Sequence, residues 1–119
     1  MLNEAIKRNA TAIQAGRVDL RLGDVNQLPF DAGSFNKVLA INCIYFWEDP
    51  VKALRKIKSI LRVGGIAAIT VRSGKRGVYQ NFTREKPIDL FAKASFEQIS
   101  IESNTSSNHP LLCALGSKA

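Results

Sequence analysis

Apolar positions along this chain change their spacing several times, and each change marks an element. Leu2, Ala5, Ile6, Ala10 and Ile13 recur at helical spacing among Lys7, Arg8 and Asn9, and Gly16 follows as a stop, which predicts a helix from Leu2 to Ala15. "RVDLRLGDV" then alternates Val18, Leu20 and Leu22 against Asp19 and Arg21, the pattern of a short strand over Val18–Gly23. Pro29, Gly33 and Ser34 mark "NQLPFDAGSF" as a loop. The near-continuous apolar run of "NKVLAINCIYF" predicts a strand at Lys37–Asn42 buried on both faces, as in a parallel sheet.

Asp49-Pro50 opens a helix, with Asp49 as cap and Pro50 at the first helical position. Val51, Leu54, Ile57, Ile60 and Leu61 form its apolar stripe, and Gly64-Gly65 reads as its end. "IAAITV" is a further buried strand, and Arg72 to Lys86 a polar, basic surface loop. "PIDLFAKAS" predicts a short helix from Pro87, "FEQISIES" a strand, "NTSSN" a turn and "HPLLCALGSKA" a last strand with His109 on the surface. This order implies an α/β sheet with an antiparallel edge. Open sheets of that kind bind ligands outside the carboxyl ends of their strands, here Gly23-Asp24 and Asn42-Cys43. Pattern alone therefore gives a nucleotide-type binding domain of unspecified ligand.

Composition narrows the setting. With 119 residues the chain is one domain, 1–119, and 45% hydrophobic with 23% charged residues is ordinary for a soluble fold. No apolar run approaches the roughly 18 residues of a membrane helix, and no signal-peptide pattern opens the sequence. Cys43 and Cys113 are far apart, which suggests neither a disulfide scaffold nor a metal knuckle and makes a reducing cytoplasm the expected setting. A net charge of +7 admits an acidic partner such as RNA or a phosphorylated ligand. Lys52, Arg55, Lys56, Lys58 and Arg62 crowd one helix without acidic partners one turn on; they form either a solvated face or a footprint that Arg72, Lys75 and Arg76 would extend.

Four blocks, "GDVNQLPFDAGSFNKV", "YFWEDPVKALRKIKSILRVGG", "LFAKASFEQISIE" and "ALGSK", together resemble the class I S-adenosylmethionine-dependent methyltransferases, especially the group that includes the ubiquinone/menaquinone biosynthesis enzymes. The resemblance implies a Rossmann-like sheet in the order 3-2-1-4-5-7-6 with an antiparallel final strand, S-adenosylmethionine as cofactor and a small-molecule acceptor. It implies that Asp24 accepts from the adenine amino group and that the backbone of Val25 meets the adenine edge. Asn42 and Cys43 would line the path to the transferred methyl, and Tyr45, Phe46 and Trp47 would wall the cofactor or acceptor pocket. No catalytic base is implied, since the sulfonium is already an activated electrophile.

The family's glycine-rich turn after its first strand and acidic residue after its second are not found in these residues, and "MLNEAIKRN" resembles the helix that follows the second strand. Met1 thus reads as an internal position of a longer ancestor. The chain reads as a partial domain lacking the first two strands, the C-terminal two-thirds of the fold. Asn36, Val63 and Ser95 depart from the family's usual Asp, Pro and Gly. On this reading the Val18–Gly23 strand has no neighbour and the Lys37–Asn42 strand presents a bare edge, where a second copy could pair. Three functional readings follow: a methyltransferase whose cofactor site is completed by another copy or chain, a non-enzymatic remnant serving as an interaction module, and a basic nucleic-acid-binding module.

Overall fold

The computed structural model describes residues 2–72, 85–104 and 111–119. His109, all of the "NTSSN" turn after Asn104, and the basic stretch beyond Arg72 with Lys75 and Arg76 lie outside the described residues. The N-terminal helix is broken into α1, Leu2–Arg8, and α2, Ala10–Gln14. Asn9 sits at the break, its amide donating to the Ala5 carbonyl at 2.9 Å, a local alternative to continuing the helix. Neither helix buries a residue.

Val18–Gly23 is not a strand. The segment runs without regular structure, with Val18 and Leu20 half-buried and Leu22 87% exposed. Alternation supplies a two-faced ribbon, but a strand also needs a partner for its backbone groups, and no described strand pairs with this segment. A 3-10 turn at Val25–Gln27 follows, then β1 at Phe35–Ile41, a second 3-10 turn at Ile44–Phe46 and α3 at Pro50–Ile60. β2 spans Leu61–Arg72, α4 Glu85–Lys93, β3 Glu97–Asn104 and β4 Leu111–Ser117.

The start of α3 is as expected: Asp49 accepts from the Lys52 amide at 3.1 Å and Pro50 occupies the first turn. Its end is not Gly64-Gly65 but Ile60, because Leu61 already turns extended and pairs with Phe35 of β1. The two glycines serve a bulge instead, where pairing jumps from Phe35–Leu61 to Lys37–Ile66. Gly64 there adopts φ +82°, and a Cβ on Gly65 would lie 2.8 Å from the Arg62 carbonyl oxygen. α4 begins two residues before Pro87, which is tolerated in a first turn where an amide lacks an intrahelical partner anyway.

The sheet order is β1-β2-β4-β3, with β1 and β2 parallel and β4 antiparallel to both its neighbours. This is the 4-5-7-6 end of the expected order. α3 and α4 cover one face, against Ala40 of β1, Ala67, Ile69 and Val71 of β2 and Leu112 and Ala114 of β4. Leu54, Ile57, Leu90 and Phe91 fill that core, with Phe91 edge-on to Phe96 at 4.9 Å. β1 and β2 were expected to be buried on both faces; they are buried on one. Leu39 is 61% exposed and Ile41 59%, since no described helix covers the second face and β1 is an edge. Among the described residues no helix is long and apolar enough to cross a membrane.

Candidate functional site

β1 and β2 run parallel, so their carboxyl ends meet, with Ile41 opposite Thr70. One residue on, the Asn42 amide donates to the Thr70 carbonyl at 2.9 Å while Asn42 itself adopts φ +54°. Asparagine tolerates this left-handed conformation better than most side chains, and it turns the chain out of the sheet. Cys43 follows, half-buried; burial pushes its thiol pKa up, partly offset by a backbone hydrogen bond at Ile41.

Ile44, 2% exposed, anchors the 3-10 turn in the core. The Tyr45 hydroxyl meets the backbone of Arg72, donating to its carbonyl at 3.3 Å and accepting from its amide. The Tyr45 hydroxyl is therefore tied to the end of β2. Phe46 stands 73% exposed, edge-on to Tyr45 at 6.0 Å between ring centres. Trp47 is half-buried against the core, its amide donating to the Ile44 carbonyl at 3.2 Å.

Asp24 precedes the Val25–Gln27 turn. Its Oδ1 accepts from the Asn26 amide at 2.8 Å and so caps the Val25–Gln27 turn. Its second oxygen bonds to no described residue. The Val25 side chain is half-buried and packs against the core. Asn26 Oδ1, in the same turn, is buried without a partner among the described residues.

The expected residues therefore form two groups. Asn42, Cys43, Tyr45, Phe46 and Trp47 are contiguous at the sheet's end, while Asp24 and Val25 form a separate turn. A cavity of about 750 Å³ reaches Asp24, with Arg17, Arg21, Leu22, Phe30 and Phe35 on its wall, but none of the strand-tip residues lines it. Thr70 and Arg72 set Asn42 and Tyr45 through their backbone groups; in the sequence Thr70 is not marked out and Arg72 stands only as part of a basic footprint. The available signal was that both end a strand parallel to β1. The basic face of α3 also gains a local role: Arg55 Nη2 donates to the Lys93 carbonyl at 3.2 Å and Lys58 Nζ to the Ser95 carbonyl at 2.7 Å. No group of three His, Cys, Asp or Glu side chains suited to a metal exists among the described residues.

Comparison with known proteins bears on this geometry. The sequence pattern of the methyltransferase domain family matches residues 1–69. A Bacillus subtilis (strain 168) protein, uncharacterized methyltransferase YdaC, is 28% identical over 117 residues, covering 95% of this chain and 64% of that protein. Chloroplastic 2-methyl-6-phytyl-1,4-hydroquinone methyltransferase 1 of Oryza sativa subsp. japonica is 24% identical over 94 residues, 71% of this chain and 28% of its own length. The chain thus spans less than two thirds of these relatives. Among solved structures, an S-adenosylmethionine-dependent methyltransferase of Thermotoga maritima, described as a possible histamine N-methyltransferase, superposes with a TM-score of 0.70 at 23% identity over 95% of this chain and 70% of its own. The family pattern covers more than half of the residues, and the sheet carries the expected strand order: the chain belongs to the methyltransferase domain family, of the class I S-adenosylmethionine-dependent type.

Proposed function

We propose that the end of β1 and the Asp24 turn form the methyl-donor side and adenine side of an S-adenosylmethionine cleft, serving methyl transfer to a small-molecule acceptor. The observation that carries this reading is the pinned strand tip. Asn42 is held at φ +54° with its amide on Thr70, so the next residues leave the sheet where such folds receive ligands.

The residues present fit part of the cofactor. The unpaired Asp24 oxygen is an acceptor for an exocyclic amine, and the backbone of Val25 follows it in a turn anchored by the half-buried Val25 side chain. Asn42 offers both a donor and an acceptor at the strand tip, and Phe46 an exposed aromatic face. When bound, S-adenosylmethionine supplies a methyl group on an activated sulfonium. The protein's part is to align the acceptor and exclude water, which asks for position rather than a titrating base.

The glycine-rich wall of the family's cleft is not among these 119 residues. On this proposal it comes from residues contiguous with the chain or from another polypeptide seated along the open edge of β1. Calorimetric titration of the chain with S-adenosylmethionine tests the reading, with Asp24→Ser as the paired variant. Saturable heat that Asp24→Ser weakens supports it; no heat and no thermal shift at millimolar cofactor would sink cofactor binding by this chain.

A further inference from the structure

At the opposite end of the sheet, the N-terminal ends of β1 and β2, a second feature stands apart from the proposed cleft. Arg55 and Lys58 of α3 and Lys118, just beyond β4, converge with Ser59 and Ser95 on a hollow of about 330 Å³. Strand register fixes the separation. Ser117 pairs with Glu97, the start of β3, and with Ile66, the first residue of β2 beyond the bulge, whereas the strand-tip residue Ile41 lies opposite Thr70.

Each cation is held by a backbone carbonyl rather than by a carboxylate. Arg55 reaches Lys93 O at 3.2 Å, Lys58 reaches Ser95 O at 2.7 Å and Lys118 reaches Leu61 O at 2.8 Å. These carbonyls end α3 and α4, so the cations sit where the helix dipoles favour positive charge. One donor of each is used. An ammonium has three and a guanidinium five, so most of the donors remain, on groups whose positions are already fixed. Among the described residues no acidic side chain lines the hollow, and Asp89 of α4 is engaged by Lys93 at 3.1 Å. The Ser59 hydroxyl points its proton at Lys56 O, at 2.6 Å, leaving its oxygen to accept. Ser95, at φ +66°, projects its side chain from the turn between α4 and β3.

Carbonyl capping alone explains one contact per cation. It does not explain why three cations from two distant segments share one hollow with no counter-charge. We propose that this hollow binds the phosphate group of a small phosphorylated ligand, Arg55, Lys58 and Lys118 supplying charge-assisted hydrogen bonds from three sides. Pre-fixed donors and an uncompensated charge are what a phosphate oxygen set requires. The room beyond a single phosphate suits a phosphomonoester as well as the free ion.

The test titrates the full chain with inorganic phosphate and, in parallel, glycerol 3-phosphate, at an ionic strength held constant with chloride, following backbone amide resonances. Saturable shifts centred on Ser59 and Ser95 are expected. Lys118→Gln keeps a donor for Leu61 O but removes the charge, and should weaken binding about tenfold, the loss of roughly one charge-assisted hydrogen bond. Ser59→Glu places a carboxylate in the hollow without touching the capping amines and should abolish the shifts, while Lys7→Gln, on α1, should leave them unchanged. Equal weakening by Lys7→Gln and Lys118→Gln would show a diffuse charge effect and overturn the site. So would the absence of saturable shifts, or a short RNA that binds wild type and Ser59→Glu alike while phosphate does not bind.

Discussion

On the proposed reading, Asp24 combines a cap with a ligand contact, one role for each of its oxygens. Its Oδ1 is committed to the Asn26 amide, and only the other oxygen is open to an adenine amine. Two substitutions separate the roles. Asp24→Ala removes the cap and should cost about 1 kcal/mol of stability by urea denaturation. Asp24→Ser retains a capping oxygen but is too short to reach beyond the turn; stability should stay near wild type while cofactor affinity falls. If the affinity of Asp24→Ser is unchanged, Asp24 only caps. Cys43 gives a second residue-scale test. Burial raises its thiol pKa, so less thiolate is present in the folded chain at pH 8 than in the unfolded chain. Iodoacetamide should therefore label Cys43 more slowly in buffer than in urea, read by peptide mass spectrometry, and S-adenosylmethionine should slow it further. The same shift has a sign for stability: the folded state holds the proton more tightly, so this contribution is present below the ordinary value of 9.0 and is lost as pH rises above it.

Among the elements, those legible in the sequence were those whose signals are local. Asp49-Pro50 marked the start of α3 through a cap and a ring, which need no distant partner, and the alternation in "FEQISIES" marked β3, for which β4 supplies the partner. Gly64-Gly65 was misread as a helix stop because its true role depends on Phe35 and Lys37, some thirty residues away, across a bulge. Val18–Gly23 alternates well and still fails as a strand, since pairing is a property of two segments. Ser95 carries an instructive signal of the local kind. It follows α4 with the Phe96 amide on Phe91 O at 3.1 Å and the Ser95 amide on Ala92 O at 3.0 Å, the closing bonds of a Schellman turn. The left-handed position such a turn requires favours glycine, and Ser95 occupies it at φ +66°. Ser95→Gly should therefore raise stability by about 1 kcal/mol, relieving the left-handed cost of an L residue. A thermal melt checks it, and an unchanged or lowered midpoint would mean that the serine side chain makes up the difference.

At the scale of the molecule, the candidate site was half legible. Its residue types sit in one stretch of sequence, but that Asp24 and Asn42 lie on different walls, with no shared cavity among the described residues, depends on how the sheet is built. A sheet with helices on one face only, an open β1 edge, and Leu39 and Ile41 facing out has two surfaces that natural sheets usually cover. Self-association along that edge is the expected consequence for the chain on its own, and sedimentation equilibrium should show a concentration-dependent dimer. Ile41→Lys, which places a charge on the open face beside the edge, should shift it to monomer without loss of helical signal. A wild-type chain that stays monomeric throughout its soluble range would refute pairing at β1.

Trp47 turns the geometry of the strand tip into something measurable. It is the chain's single tryptophan, and it sits half-buried directly after the turn that Ile44 anchors and Tyr45 ties to Arg72. Light emitted from the indole therefore comes from one known place, wedged between the end of β1 and the cap of α3. A ligand entering beside Asn42 would change the polarity around that ring, and the colour of its emission, excited beyond the absorption of tyrosine, would shift with no second indole to blur it. A ligand in the basic hollow, at the far end of the sheet, would leave the colour alone. The molecule thus carries its own dye at one of its two proposed sites, and a single spectrum can tell which of them has been filled.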